Sequence, residues 1–539
     1  KLTDHQQKML DGAFGKGKAM AMQIQIGVGK CFDAERLVPV SRAHVSLSAQ
    51  EADIWFAGKL LDAGASCAIA PTVNPGYSVD YFRSRLTDAA VENMRKTERI
   101  YRGLGARLTY CCTPYLADNV PSYGEIIAFS ETNATIYANA VLGACTNRES
   151  AASALCAAVT GYAPEYGMIL SENRFADIAV RVDAKMESDF DYAVLGLCGK
   201  KIGKGIPAFL GLPEKISTEA LIALGAELNV SGSYDLYHIP NVTAEAAHGF
   251  DLFGGKAPKR EVTITQSDLE QTLEAFSPSA DGSIEYCILG CPHYTYAQIE
   301  EVERLLGGEK AKADIHILTS AAIKREAKES GLEDRLLDLG ADLIADTCVD
   351  EACCWGYLAG KPGVTDSPKG AYYMETAGIR MAVRDTATCI HWAKQGGCAD
   401  EKDIFLPPDR RGQGEGEVLT CTDQILFYHT DPKTGVVTEV GHALEGVSVK
   451  DKILVFPGGK GSSVVQMDGL YKLELNGAAP LGFIVREPDT VLVSTAIIME
   501  IPMVDRVEDE FYNAVKTGDQ IEINAGEELA AVTMLKHND

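Results

Sequence analysis

Positive charge is scarce in this 539-residue chain: 50 Lys and Arg stand against 76 Asp and Glu, a net charge of −26. A surface that acidic repels phosphate, which argues against nucleic acid or an anionic membrane as a partner. No apolar run comes near the roughly 18 residues that a membrane span needs. The opening residues, Lys1-Leu-Thr-Asp-His-Gln-Gln, are polar and carry no signal-peptide apolar core. Regular cysteine spacing is missing too. Fifteen cysteines, an odd number without pattern, do not make a disulfide framework and point to a reducing, cytoplasmic compartment. There is no fixed-period repeat and no low-complexity tract. What remains is an ordinary globular composition, 46% hydrophobic and 23% charged, long enough for about three or four domains of roughly 150 residues.

The pattern that is present alternates strand and helix. Residues 283–289 form a short apolar run that reads as a buried strand, and Thr295 with Gln298 makes a capping box ahead of Ile299, Val302, Leu305 and Leu306. Cys291 is thereby expected in the strand-to-helix turn, at the carboxyl edge of a sheet, where open α/β folds bind ligands. Strand 314–318, helix 321–329 and a strand ending before Cys348 continue the alternation. Upstream, helices are expected over 3–30 (interrupted by glycines), 49–63, 91–104, 151–162 and 217–224, and strands at 43–47, 67–73, 106–111, 192–197 and 227–230. The fold class predicted is α/β with largely parallel sheets. Polar, turn-rich residues 399–412 read as a linker between a catalytic region, 1–398, and a separate C-terminal domain, 413–539. In that tail, short strands are expected near 417–420, 453–456, 482–486 and 491–493, with few long helices.

Three cysteines share a setting. Cys112, Cys291 and Cys348 each follow a predicted strand, so three thiols far apart in sequence can meet at one point, a candidate metal or iron–sulfur site. Three protein ligands would leave one iron open to substrate. Cys145, Cys353 and Cys354 compete for the same role, and buried cysteine is also a common small hydrophobe. A second feature is Phe456-Pro-Gly-Gly-Lys-Gly-Ser-Ser463, directly after a strand. It lacks the spacing of a nucleotide P-loop, but its amides and Lys460 suit an anion, and Ser462 is a candidate proton acceptor. His44-Val45-Ser46 and Asn74-Pro75 sit at strand ends able to offer donors to a carboxylate or phosphate. Arg148 is a candidate carboxylate fork, whereas His293 and His391 read as structural.

Taken together these segments resemble the aconitase X family over nearly the whole chain. The resemblance rests on Arg36-Leu-Val-Pro-Val, His44-Val45-Ser46, Thr72-Val-Asn-Pro, Cys112-Thr-Pro-Tyr, Leu142-Gly-Ala-Cys-Thr-Asn-Arg-Glu, Gly290-Cys-Pro-His, Asp346-Thr-Cys and Thr365-Asp-Ser-Pro-Lys. In the tail it rests on Asp431-Pro-Lys-Thr-Gly, Phe456-Pro-Gly-Gly-Lys-Gly-Ser-Ser and Ala496-Ile-Ile-Met-Glu-Ile-Pro-Met-Val. It implies an aconitase-like, multi-lobed catalytic portion and a swivelling β/α domain fused to it. It further implies a hydro-lyase with an iron–sulfur cluster, of two or four irons, held by Cys112, Cys291 and Cys348. Ser462 would be the proton acceptor, and His44, Val45, Ser46, Asn74 and Pro75 would contact a small-molecule substrate. The fused arrangement resembles members that dehydrate cis-3-hydroxy-L-proline to 1-pyrroline-2-carboxylate, with mevalonate 5-phosphate dehydration as the alternative. An iron-sensing binding protein is the non-catalytic alternative. Many relatives have Arg at the position of Cys145, which sets that residue apart from the ligand set.

Overall fold

The computed structural model describes residues 1–276, 282–398, 417–461, 463–499, 501–505, 507–525 and 530–536. The expected linker, 399–412, and Ser462 lie outside them. Among the described residues no helix is long and apolar enough to cross a membrane.

Four parallel sheets organise the chain. The first joins Thr72–Val73, Ala43–Val45 and Ala128–Phe129 in that order, and the second joins Pro207–Leu210, Ile178–Asp183 and Arg260–Thr265. The third has five strands: Ala341–Ala345, Asp314–Thr319, Tyr286–Tyr294, Gly363–Thr365 and Met381–Val383. The tail has four: Val418–Thr420, Ile453–Phe456, Gly482–Val485 and Met503–Asp505. In the tail, helices cover the sheet, so its central strands are buried on both faces and read as unbroken apolar runs. Every residue of Ile453–Phe456 and Gly482–Val485 is buried.

The capping box of Thr295 and Gln298 opens the helix Tyr296–Leu306, which buries Ile299, Val302 and Leu306. Several sequence expectations are corrected. The runs at 192–197 and 227–230 are helical, within Asp189–Leu197 and Thr218–Gly232, because Ser188 and Ser217 cap their first turns. Short apolar runs carry no period that separates strand from helix. Likewise 491–493 lies in the helix Thr490–Met499, whose first N–H groups are held by Asp489 Oδ1 at 3.0 and 3.1 Å. The tail is therefore α/β rather than β-rich, with a second helix, Ser463–Leu475, of 13 residues. Residues 106–111 form no strand; they join the first sheet through a bridge of Arg107 to Thr72, through Thr109 Oγ1, which accepts the Val73 N–H at 3.1 Å, and through the Cys111 N–H, which donates to Val73 O at 3.1 Å.

The last correction concerns Cys291. It lies inside the strand Tyr286–Tyr294, not beyond it. The ladder pairs Ile317 with Leu289 and then Thr319 with Tyr294, so residues 290–293 bulge out of register. Gly290 permits this at φ +94, since a Cβ there would meet Leu318 O at 2.1 Å.

The tail docks on the first region through buried polar contacts. Ser494 Oγ donates to Ser150 Oγ (2.7 Å), and Tyr166 and Thr490 hydroxyls lie 2.6 Å apart. Ser150 belongs to a capping box with Ser153, which also binds the buried Glu149 carboxylate. Burial pushes Glu149 up to about 7, above its unfolded value. Its contribution to stability is therefore full at acid pH and lost as pH rises towards 7. Glu149→Gln is expected to gain up to about 3 kcal/mol over the parent at pH 8 and little at pH 4. Denaturant unfolding at both pH values checks this; an equal difference at both would refute it.

Candidate active site

Cys112, Cys291 and Cys348 do meet: all three line one cavity, together with Asn74, Pro75, Glu131, His293, Asp350 and Lys369. Each thiol is placed by a different backbone device. Cys112 has its carbonyl held by Asn133 Nδ2 at 3.0 Å, and its Sγ accepts the His293 N–H at 3.3 Å. Cys291 sits on the bulge after Gly290. Cys348 N–H donates to Gly76 O (2.8 Å), while its carbonyl accepts from Trp355 Nε1 (3.3 Å). Burial pushes the Cys291 thiol up to about 12 and raises Cys112 and Cys348 well above the ordinary thiol range. A cavity edged by three such thiols gains by taking in a cation that draws them into the thiolate form. Among the described residues no three His, Cys, Asp or Glu side chains form a group able to hold a single metal ion.

Lys369 is the one cation among the described residues lining the cavity. Its Nζ lies 3.0 Å from Glu131 Oε1, with the two side chains 10% and 4% exposed. Burial alone would pull its pKa down, but Glu131 foremost, then Cys291, outweigh it and hold the ammonium charged. Its backbone N–H donates to Glu227 Oε1 at 3.0 Å, on the helix Thr218–Gly232, and burial pushes Glu227 up to about 8. Glu131 itself caps the helix Thr132–Ala140, its Oε2 accepting the Ala134 N–H at 2.7 Å. His293 is held neutral by burial, pushed down to about 4. Its Nε2 donates to Thr347 O (3.1 Å), and its buried Nδ1 has no hydrogen-bond partner among the described residues.

The remaining predicted residues fall elsewhere. Asn74 and Pro75 line the cavity, but His44, Val45 and Ser46 do not. His44 stands behind Asn74: its Nε2 is 3.1 Å from Asn74 Oδ1 and its Nδ1 2.8 Å from Thr72 Oγ1. Val45 is core, and the Ser46 N–H donates to Ser130 Oγ at 2.7 Å. Arg148 is not a free fork, because Nη1 donates to Gly461 O (2.9 Å) and the guanidinium lies beside Asp489 and Asp235. Lys460 pairs with Glu439. Cys145, Cys353 and Cys354 do not line the cavity, and the last two have sulfurs 4.0 Å apart. Residues the sequence reading missed are Glu131, Asp350 and Lys369, and His293 was set aside as structural. One signal was available: Ser367 and Pro368 open a helix, which places Lys369 in its first turn against the helix dipole.

Lys369→Met leaves Glu131 buried and unpaired, which is expected to cost about 3–5 kcal/mol. Adding Glu131→Gln should restore most of that stability in denaturant unfolding without restoring turnover. Recovery of both would make the pair purely structural.

Sequence models of four aconitase X domains match in order: the first domain at residues 1–172, the second at 176–274, the third at 284–395 and the swivel domain at 410–532. The phosphomevalonate dehydratase large subunit of Thermococcus kodakarensis is 33% identical over 398 residues, covering 72% of this chain and 98% of that subunit. The cis-3-hydroxy-L-proline dehydratase of Pseudomonas aeruginosa is 31% identical over 411 residues, 74% of this chain and 70% of that enzyme. The phosphomevalonate dehydratase small subunit of Methanosarcina acetivorans is 47% identical over 118 residues, 22% of this chain and 81% of that subunit. The crystal structure of Thermococcus kodakaraensis aconitase X in its holo-form superposes with a TM-score of 0.67 at 32% identity, covering 73% of this chain and all of that one. This chain belongs to the aconitase X family and is a hydro-lyase of that family.

Proposed function

We propose that the chain dehydrates cis-3-hydroxy-L-proline to 1-pyrroline-2-carboxylate in the cytoplasm, as a step of hydroxyproline breakdown. The observation that carries this reading is the charge lining the cavity. One cation, Lys369, faces Glu131 and Asp350, and the other basic candidates, Arg148 and Lys460, are engaged elsewhere. A phosphate ester needs several free cations or amide donors. A zwitterionic amino acid needs one cation for its carboxylate and one carboxylate for its ring ammonium, which this set offers.

The donor set is of the kind that holds an iron–sulfur cluster: three thiols edge one cavity. Cys112, Cys291 and Cys348 would hold it, and when bound it would supply Lewis acidity towards the substrate hydroxyl. The chain's own residues do the rest. Lys369 neutralises the carboxylate, which acidifies the proton on C2. Ser462, in the run after Gly461, takes that proton as its alkoxide while the C3 hydroxyl departs as hydroxide; the same proton, passed on from the serine, makes that hydroxide water and restores the alkoxide, and the enamine tautomerises to the cyclic imine. The tail reaches the cavity region through Val465 and Leu426, which pack with the cavity residue Tyr373. Closure of the tail over the cavity completes the site and keeps solvent out.

Mevalonate 5-phosphate is the second reading, favoured by the similar identity to the Thermococcus large subunit. Anaerobically purified protein offered both substrates is expected to release imine from the first and leave the second unchanged. Turnover of phosphomevalonate alone would overturn the assignment. Ser462→Ala is expected to lose at least about 10²-fold in kcat while keeping its iron absorbance, and an active variant would remove the serine from this role.

A further inference from the structure

The loop Gly458–Gly461 is held from outside. Its glycines take φ +154 and +88 at Gly458 and Gly461, where added Cβ atoms would lie 2.6 Å from Glu487 O and 2.7 Å from the Leu426 side chain. Gly459 N–H donates to Asp489 Oδ2 (3.0 Å) and Lys460 N–H to Ile425 O (3.3 Å), both partners belonging to the tail. The third anchor comes from the large portion, where Arg148 Nη1 donates to Gly461 O at 2.9 Å. Arg148 Nη2 also lies 3.5 Å from Asp489 Oδ1, and its Nε lies 3.7 Å from Asp235 Oδ1. The side chain is 7% exposed. A planar guanidinium can serve a carbonyl and two carboxylates at once; an ammonium is a point charge with no such fork.

We propose that Arg148 and Asp489 form a latch across the two portions that sets the position of the Gly458–Gly461 loop, the stretch that immediately precedes Ser462 in the chain. This rests on the reading of Ser462 given above. Arg148 is then a positioning residue rather than a substrate contact. Asp489 couples the two ends of the loop: one oxygen takes the Gly459 N–H, and the other faces the arginine that takes the Gly461 carbonyl. The same oxygen caps the helix Thr490–Met499, whose Thr490 and Ser494 touch Tyr166 and Ser150 of the large portion. Docking of that helix and placement of the loop are thereby one event.

A latch that places the base lowers kcat and spares KM, whereas loss of a substrate fork raises KM. Misplacement of a reacting group by about 1 Å costs about 10²-fold. In the full chain, Arg148→Met, Arg148→Lys and Asp489→Asn are each expected to lose about that factor in kcat, with KM within about 3-fold of the parent. The Arg148→Met/Asp489→Asn double variant should lose little more than either alone. Hydrogen exchange by mass spectrometry over residues 457–466 should be faster in all of them, with iron content unchanged. A raised KM with intact kcat, additive losses, or unaltered exchange would overturn the latch. Ser462→Ala separates the two ideas. If it stays active the base assignment falls and the exchange data still decide the latch; if it is dead while Arg148→Met works normally, the latch alone falls.

Discussion

Lys369 carries an ammonium into a cavity almost closed to water, and taking such a charge out of solvent costs several kcal/mol unless a partner is fixed beside it. Glu131 is that partner, 3.0 Å away, and its second oxygen is already engaged by the first turn of the helix Thr132–Ala140. The pair therefore ties the third sheet's region to the first at the cavity wall. Glu227 adds the second region by accepting the Lys369 backbone N–H. Three regions of the chain are thus fastened to one lysine. The thiols around it, buried and neutral on their own, are the groups its charge best accommodates once they ionise.

Parallel sheets explain why residues so far apart converge. Every strand of a parallel sheet ends at the same edge, and loops from that edge share one space. Yet the edge alone did not place Cys291. The strand Tyr286–Tyr294 keeps running, and the bulge at residues 290–293 lifts the cysteine out of the ladder. That distortion also points the His293 N–H at Cys112 Sγ, so one bulge both places Cys291 and holds the sulfur of Cys112.

The alternation of strand and helix from 283 onward was legible because the strands are apolar runs and the helices carry caps and a 3.6-residue period. The helices at Asp189–Leu197 and Thr490–Met499 were not legible in the same way. Their residues are mostly buried, so no polar face marks the period, and only Ser188 and Asp489 betray the start. The cysteines were found by their setting at strand ends. Arg148 and Lys460 were read as free cations because a sequence does not show which carboxylate a cation will meet in space. Lys369 and Glu131 were missed for the converse reason: their partnership spans 238 residues and depends on packing between regions.

The contacts that join tail to large portion are of two kinds. Polar pairs such as Ser494 with Ser150 and Arg148 with Gly461 are each worth about a kilocalorie per mole or a little more. Apolar packing adds Met467, Tyr471 and Ile498 to the first region's core and sets Val465 and Leu426 against Tyr373. Relatives in which the corresponding pieces are named as large and small subunits must gather them from solution. In a single chain the tail is held at an effective concentration in the millimolar range when the linker matches the span. Modest contacts then suffice to keep the tail docked. The apolar packing supplies attraction without direction, whereas the polar set, Arg148, Tyr166 and Ser150 facing Asp489, Thr490 and Ser494, fixes the one register in which the two portions meet.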